Sequence, residues 1–345
     1  MKPGTTVTME PPKVRAPNIR DVARLAGVSY QTVSRVLNNA ESIKPSTKQR
    51  VLEVIEEIGY RPNQAARALV TSKSRTIGVL TSQTAHYGPT TSLHAIEDAA
   101  REAGYLITTT SLSTGQQGAV TEGLEHLMAQ AIEGLVVIAP QVRVFDAFRQ
   151  LALTIPLVTL DSTGQDAPRS LSVDQIAGAR MATNHLIGLG HEDIVHVAGP
   201  RDWIEAEARM RGFLDAISAA DLRTHRPILG DWTADFGYHV GTELVDFRDF
   251  TAVFAGNDQM ALGLLHAFRN AGLDVPGDIS VVGFDDIPEA RHFFPPLTTV
   301  RQDFAELGRR SIALLVGEIE GETDLDHAQI PPELIVREST TRARR

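Results

Sequence analysis

The stretch Ser29-Tyr30-Gln31-Thr32-Val33-Ser34-Arg35 gathers side chains that can read nucleic acid within about two turns of chain. Gln can bond adenine through two hydrogen bonds, Arg can do the same to guanine, and Tyr or Thr can meet a thymine methyl. This chemistry needs the side chains on one exposed face, and the flanking residues supply the elements for that. Val33, Val36 and Leu37 fall at i, i+3 and i+4, predicting a helix that starts after Ser29 as N-cap. They face inward, which leaves Tyr30, Gln31, Thr32, Ser34 and Arg35 on or beside the outer face. A shorter helix precedes it, with Asn18 as N-cap, Asp21 three residues on, and Val22, Ala23 and Leu25 as its apolar face. Gly27 gives the reversal its backbone freedom and Val28 plugs the gap. The plainer alternative is a helical hairpin with a solvated outer face.

Catalytic chemistry finds little support. Asp285 and Asp286 resemble paired carboxylates, but neighbours at a strand end point apart, whereas glycosidase chemistry needs two carboxyls facing one bond. No glycine-rich phosphate loop follows the first strand, TIGVLTSQTAHYG. His185, His191 and His196 lack metal-ligand spacing, and His196 reads as a packed, hydrogen-bonded strand residue. The chain has no cysteine, which excludes disulfides, thiolate catalysis and cysteine-held zinc. The expectation is no enzyme, no metal and no cofactor.

The net charge of −10 over 345 residues conceals an asymmetry. Residues 1–75 carry 13 Lys+Arg against 6 Asp+Glu, a charge of +7, and the remainder carries 20 against 37, a charge of −17. A basic head on an acidic body is expected when only the head meets phosphates. No apolar run approaches a membrane span. The polar, proline-rich residues 1–17 lack a signal-peptide core and read as a disordered lead-in, so a cytoplasmic location is expected.

Along the chain, Pro45 and Ser46 open a third helix, with Gln49 completing a possible capping box. Val51, Leu52, Val54, Ile55 and Ile58 give its apolar face, and Gly59 ends it. Pro62 and Asn63 then start a very short segment, QAARALV, which would form a helix only against a partner. From Thr76, strand-like runs (76–81, 105–112, 134–140, 156–161, 193–200, 251–258, 279–286) alternate with helical ones (92–104, 175–190, 258–272). This pattern predicts parallel sheets covered on both faces, in two similar lobes split near Val173. The tail crosses between the lobes as TTVRQD, a helix, and a late strand near ELIVRES. Such lobes form a cleft that binds small ligands at strand C-termini.

From about Asn18 to Ser339 the chain resembles the LacI/GalR family of bacterial transcriptional repressors. The resemblance rests on DVARLAGVSYQTVSRVLN, YRPNQAARAL, HLIGLGHEDIVHVAGP, GDWTADFGY, AGNDQMALG, DISVVGFDD and PPLTTVRQDF, all in order. It implies an α/β core of two doubly wound parallel-sheet lobes, like periplasmic sugar-binding proteins, with an N-terminal all-α helix-turn-helix DNA-binding domain. The implied parts are a DNA-binding domain at 18–61, a hinge helix and linker at 62–75, one lobe at 76–173 plus about 302–329, and the other at 174–301 plus about 330–340. A homodimer on pseudo-palindromic double-stranded operator DNA is implied, with operator affinity changed by a small-molecule effector, a sugar above all. Tyr30, Gln31 and Arg35 then match base-reading positions, and Asn18, Ser29, Thr32, Ser34 and Asn38 mainly hold phosphates. Asn63, Ala66 and Leu69 of the hinge join them, with Leu69 matching a leucine wedged into the central minor-groove step.

The resemblance likewise implies an effector set at strand ends, namely Ser82, Asp161, Arg209, Trp232, Asn257, Asp285 and Phe304. Carboxylates and a guanidinium suit paired hydroxyls, and aromatic rings cover an apolar sugar face. Spacing selects Arg209 over Arg211 as the arginine of R-x-x-G-F. Each residue has a plainer reading: Asp161 and Asn257 as helix N-caps, Arg209 as a surface ion pair, Trp232 and Phe304 as core. Gln83–Thr91 and Arg201-Asp202-Trp203 depart from the pattern along the expected pocket wall, so the effector need not be a galactoside. The chain stops at Arg345 without a heptad-patterned extension, which predicts a dimer. The rival from another class is a small-molecule-binding protein with a helical appendage and no regulatory output.

Overall fold

The computed structural model describes residues 17–37, 43–61, 73–82, 86–112, 118–138, 141, 144, 154–160, 170–247 and 249–344. Two compact units divide at Ser74/Arg75.

The first unit holds α1 (Ile19–Leu25), α2 (Tyr30–Leu37) and α3 (Pro45–Glu57). The Asn18 side chain accepts from the Arg20 and Asp21 amides at 2.8 and 3.2 Å, and Asp21 accepts from the Asn18 amide at 3.0 Å, closing a capping box. Gly27 takes φ +66°, the left-handed value that the reversal needs. Val22, Ala23, Ala26, Val33, Val36, Val51 and Val54 form the core, with Val28 and Tyr60 packed against it.

Three expectations need correction here. Leu25 and Leu52, assigned to apolar faces, are exposed. At 100° per residue the buried stripes run through 19, 22, 23, 26 and 51, 54, 55, 58. Each leucine lies about 110° off its stripe. The expected capping box on α3 does not form either. Lys44 is the N-cap residue and gives no side-chain bond, because Pro45 at the first helical position moves Ser46 inside the helix. Gln49 donates to Glu53 at 3.1 Å instead.

In the second unit, the described residues of one lobe form a five-stranded parallel sheet in the order β2-β1-β3-β4-β5. Its strands are β1 (Thr76–Ser82), β2 (Leu106–Leu112), β3 (Gly134–Ile138), β4 (Leu157–Leu160) and β5 (Ser170–Leu171), with α4 (Tyr87–Glu102) and α5 (Ala119–Met128) between them. The alternation along β3 shows why both faces are covered. Val136 and Ile138 join one apolar cluster, with Ile77, Val79 and Ile96, while Leu135 and Val137 join another, with Leu80, Leu124 and Leu127.

The other lobe is a six-stranded sheet in the order β11-β10-β9-β8-β6-β7, built from β6 (Ile194–Ala198), β7 (Ile228–Leu229), β8 (Ala252–Ala255), β9 (Ser280–Asp285), β10 (Thr298–Arg301) and β11 (Glu333–Ile335). Only the β10–β11 pair is antiparallel among its described pairings. Helices α6 (Gln175–Gly188) and α7 (Ile204–Ala219) pack together, as do α8 (Ala234–Asp246) and α9 (Asp258–Asn270). Phe213, Phe254 and Phe284 fill one side of the sheet, and Val253, Ala255, Val281 and Phe268 the other. Helix α10 (Phe304–Glu320) leaves β10 to pack on α4, β3 and β4 of the first lobe before β11 returns. The expected strands and helices that fall on described residues occur, while the short QAARALV segment lies outside them, and α4 starts five residues earlier than the pattern placed it, at Tyr87. The two-residue strands β5 and β7 were too short to register as strand patterns.

Candidate functional site

In both sheets the strand order reverses beside the first strand of the lobe, and ligands of open α/β sheets sit beyond the strand C-termini at such switch points. A cavity lies there, between the lobes. The first lobe lines it with His86 and Tyr87 of the β1–α4 connection and with Ile138, Leu160 and Ser172 at strand ends. The second contributes Trp203, Glu205 and Arg209 after β6, Trp232, Asn257 after β8, and Asp285 at the end of β9.

The buried wall of this cavity is a closed polar ring. The Arg209 Nε donates to Gln175 Oε1 at 2.8 Å, Gln175 Nε2 donates to Gln302 Oε1 at 2.7 Å, and Gln302 Nε2 donates to Asp285 Oδ1 at 2.6 Å. An Arg209–Asp285 ion pair at 3.4 Å completes the circuit. Arg209 Nη1 also donates to the Gly256 carbonyl at 2.5 Å, and its guanidinium lies over the Phe284 ring, 3.9 Å from the centroid. Burial pushes the Asp285 pKa up to about 6, with Arg209 and Gln302 opposing the shift. Burial also lowers Arg209 from its usual value, against the pull of Asp285. Charges this deep persist because each is paired and hydrogen-bonded.

Backbone strain collects at the same place. Trp232, Asp285 and Asp286 adopt φ of 72°, 109° and 51°, conformations that cost about 1–3 kcal/mol each for residues other than glycine. Asp258, fully buried, holds the turn after β9. It accepts from the Ile287 amide at 2.9 Å and from Thr299 Oγ1 at 2.5 Å, and burial drives its pKa well up. This turn aims Asp285 at the cavity and sends Asp286 to Arg301 (2.7 Å) and Arg337 (2.5 Å). Trp232 lies against Gly199, where a Cβ would run into its ring. Its indole N–H has no acceptor among the described residues. A buried donor without a partner costs about 1–3 kcal/mol, a cost that a ligand oxygen can remove.

On the first unit, Tyr30, Gln31 and Arg35 are exposed on α2 while Val33 and Val36 are buried beneath them. Ser29 Oγ accepts from the Thr32 amide at 3.1 Å and lies 2.9 Å from Thr32 Oγ1, fixing the start of the helix. Ser34 is half-buried.

Comparison with known proteins matches residues 18–63 to "Bacterial regulatory proteins, lacI family" and residues 183–340 to "Periplasmic binding protein-like domain". The lactose operon repressor of Escherichia coli (strain K12) is 33% identical over 322 residues, which cover 93% of this chain and 89% of that protein. This chain belongs to the LacI family. The HTH-type transcriptional regulator CelR of Thermobifida fusca is 34% identical over 346 residues, covering 94% of this chain and 98% of CelR. Among solved structures, the lac repressor dimer bound to operator and the anti-inducer ONPF superposes with a TM-score of 0.86 at 32% identity, over 95% of this chain and all of that one. The CelR–cellobiose complex gives 0.68 at 30% identity, over 94% and 99%. The LacI-family relatives are transcriptional regulators, and no described helix here is long and apolar enough to cross a membrane.

Of the residues that the LacI-family resemblance pointed to in the core, Arg209, Trp232, Asn257, Asp285 and Phe304 all line the cavity. Arg209 is a buried partner of Asp285 rather than a surface ion pair. Asn257 is a helix N-cap as well as a lining residue. Its Oδ1 accepts from the Met260 amide at 2.9 Å, and its Nδ2 donates to the Trp232 carbonyl at 3.0 Å, so it also holds Trp232 in place. Ser82 is buried at the end of β1 and is not among the lining residues. Asp161, Asn38, Asn63, Ala66 and Leu69 lie outside the described residues, as does the hinge segment 62–72. Sequence reasoning missed Gln175, Gln302 and Glu205, and it reached His86 and Tyr87 only as part of Gln83–Thr91 on the expected pocket wall. The glutamines carry no motif of their own. Gln302 sits two residues before Phe304 in the quoted RQDF, and that adjacency was the one available signal.

Proposed function

We propose that this chain is a repressor that binds pseudo-palindromic operator DNA as a homodimer and changes its operator affinity when a sugar enters the cavity between its lobes. The observation that carries the effector half is the closed ring Arg209–Gln175–Gln302–Asp285 on the cavity wall. Its members are mutually satisfied yet offer further donor and acceptor capacity to hydroxyls, and aromatic side chains flank it. Relatives whose structures contain operator, or cellobiose, support the same reading. Residues 18–61 form the DNA-binding domain and 62–75 the hinge. The lobes comprise 76–173 plus about 302–329 and 174–301 plus about 330–340.

On DNA, Tyr30, Gln31 and Arg35 read bases, and Asn18, Ser29, Thr32, Ser34 and Asn38 set register on phosphates. Asn63 and Ala66 of the hinge contact the DNA, and Leu69 wedges into the central minor-groove step. Arg209, Trp232, Asn257, Asp285 and Phe304 bind the effector. The effector acts only through its different affinity for the two lobe arrangements, typically about 1–3 kcal/mol of coupling. We read the cavity as a binding site, in which Asp286 takes no part because it turns away to Arg301 and Arg337. A cytoplasmic location follows from a DNA target.

Fluorescence anisotropy on a labelled pseudo-palindrome at fixed salt tests the DNA half. Arg35→Ala should cost about 1–3 kcal/mol of discrimination against scrambled DNA while sugar binding persists. Unchanged discrimination would show that α2 does not read bases.

A further inference from the structure

Trp203 and His86 form the part of the cavity that the polar ring leaves unused. Both belong to segments, Gln83–Thr91 and Arg201-Asp202-Trp203, that the sequence places along the expected pocket wall. His86 precedes α4 in one lobe and Trp203 precedes α7 in the other, and their rings meet edge to face at 5.2 Å and 82°. Trp203 next meets Trp232 at 5.6 Å and 67°, and the Arg209 guanidinium lies 5.4 Å from the Trp232 ring centroid. The lining therefore runs in order from the polar ring, past Trp232, to the Trp203–His86 pair. A backbone bridge between Gln141 and Trp203 fixes that end, and Trp203 is buried there.

Two features narrow what fits beyond the polar ring. Asp285 and Glu205 face one guanidinium, Arg209, so an anionic ligand meets a carboxylate excess. The rings meet edge to face instead of as parallel plates. This leaves no slot between stacked faces for a flat base, but it suits a puckered ring with a CH face and a hydroxyl rim.

We propose that the effector is an uncharged saccharide of at least two rings, with one ring bonded by Arg209, Gln175, Gln302 and Asp285 and the next packed on Trp203 and His86. This rests on the reading of the cavity as a sugar-effector site. Trp203 is then the residue that selects for length.

Isothermal titration of the full chain tests it, with D-glucose, D-galactose, cellobiose, lactose, maltose, melibiose and hypoxanthine as probes. The chain's two tryptophans both line the cavity, so their emission gives a second readout on the same samples. One disaccharide should bind at least about tenfold more tightly than its constituent monosaccharides. Trp203→Ala should remove about tenfold or more of that affinity and leave the monosaccharide within about twofold, and Trp203→Phe should restore most of it. A monosaccharide that binds as tightly as its disaccharide, or a Trp203→Ala loss equal for both, overturns the two-ring proposal alone. Binding of hypoxanthine only, or of no sugar by a preparation that still binds operator, overturns the sugar reading with it.

Discussion

The recognition helix and the cavity solve opposite problems. On α2 the side chains we propose as base readers, Tyr30, Gln31 and Arg35, are exposed within six residues of chain, and Val33 and Val36 separately fill the core beneath. In the cavity, Arg209, Gln175, Gln302 and Asp285 are themselves buried, come from four distant stretches of chain, and bond one another. The head can therefore change what it reads at little cost to its own stability. The cavity cannot change its ligand contacts without disturbing the packing between its elements.

That contrast predicts where substitutions hurt. Arg209→Met, which keeps much of the volume, leaves Asp285 buried without its cation. Equilibrium denaturation should show a loss of about 3–5 kcal/mol in the effector-binding core. A loss below about 1 kcal/mol would mean that the ring is not what holds this wall.

His196 sharpens the point through pH. It is stacked on Phe254 at 4.6 Å, donates Nδ1–H to the Phe254 carbonyl at 2.9 Å, and burial pushes its pKa down to about 4. Its contribution to stability is present above the unfolded value near 6.5 and is lost as pH falls from there to about 4, some 3 kcal/mol in all. Asp285 works in the opposite sense. With its pKa raised to about 6, its contribution is present below the unfolded value near 3.8 and is lost as pH rises through 6. His196→Phe should therefore turn a partly cancelled profile into one in which stability falls as pH rises from 4 to 6. An unchanged profile from denaturant melts across that window would rule this out.

The smallest effect belongs to the head. The Arg35→Ala variant that loses operator discrimination should shift the unfolding free energy of the DNA-binding domain by no more than about 0.5 kcal/mol, since Arg35 is exposed.

The same contrast explains how much could be read from the sequence. The head was legible because capping and periodicity are local. Asn18 and Asp21 sit three residues apart, and Val33 and Val36 mark the buried side of α2. Leu25 and Leu52 misled because apolar character alone does not say which side of a short helix a residue takes. Around the cavity, motif-bearing residues such as Arg209, Asn257 and Asp285 could be named. The glutamines that link them could not, because Gln175 and Gln302 lie 127 positions apart and meet only through the crossings between lobes. His86 and Trp203, on the two segments that break the pattern, become informative only once their rings are seen to touch.

The measurement closest to the central claim is effector affinity, by calorimetry, with and without saturating operator DNA. If the exposed helix and the buried cavity are two sites on one equilibrium, operator must change effector affinity by the same factor, and in the same direction, as effector changes operator affinity, about 5–150-fold. Identical effector affinity in the two titrations would contradict the account, leaving a DNA-binding head and a ligand-binding core with no linkage between them.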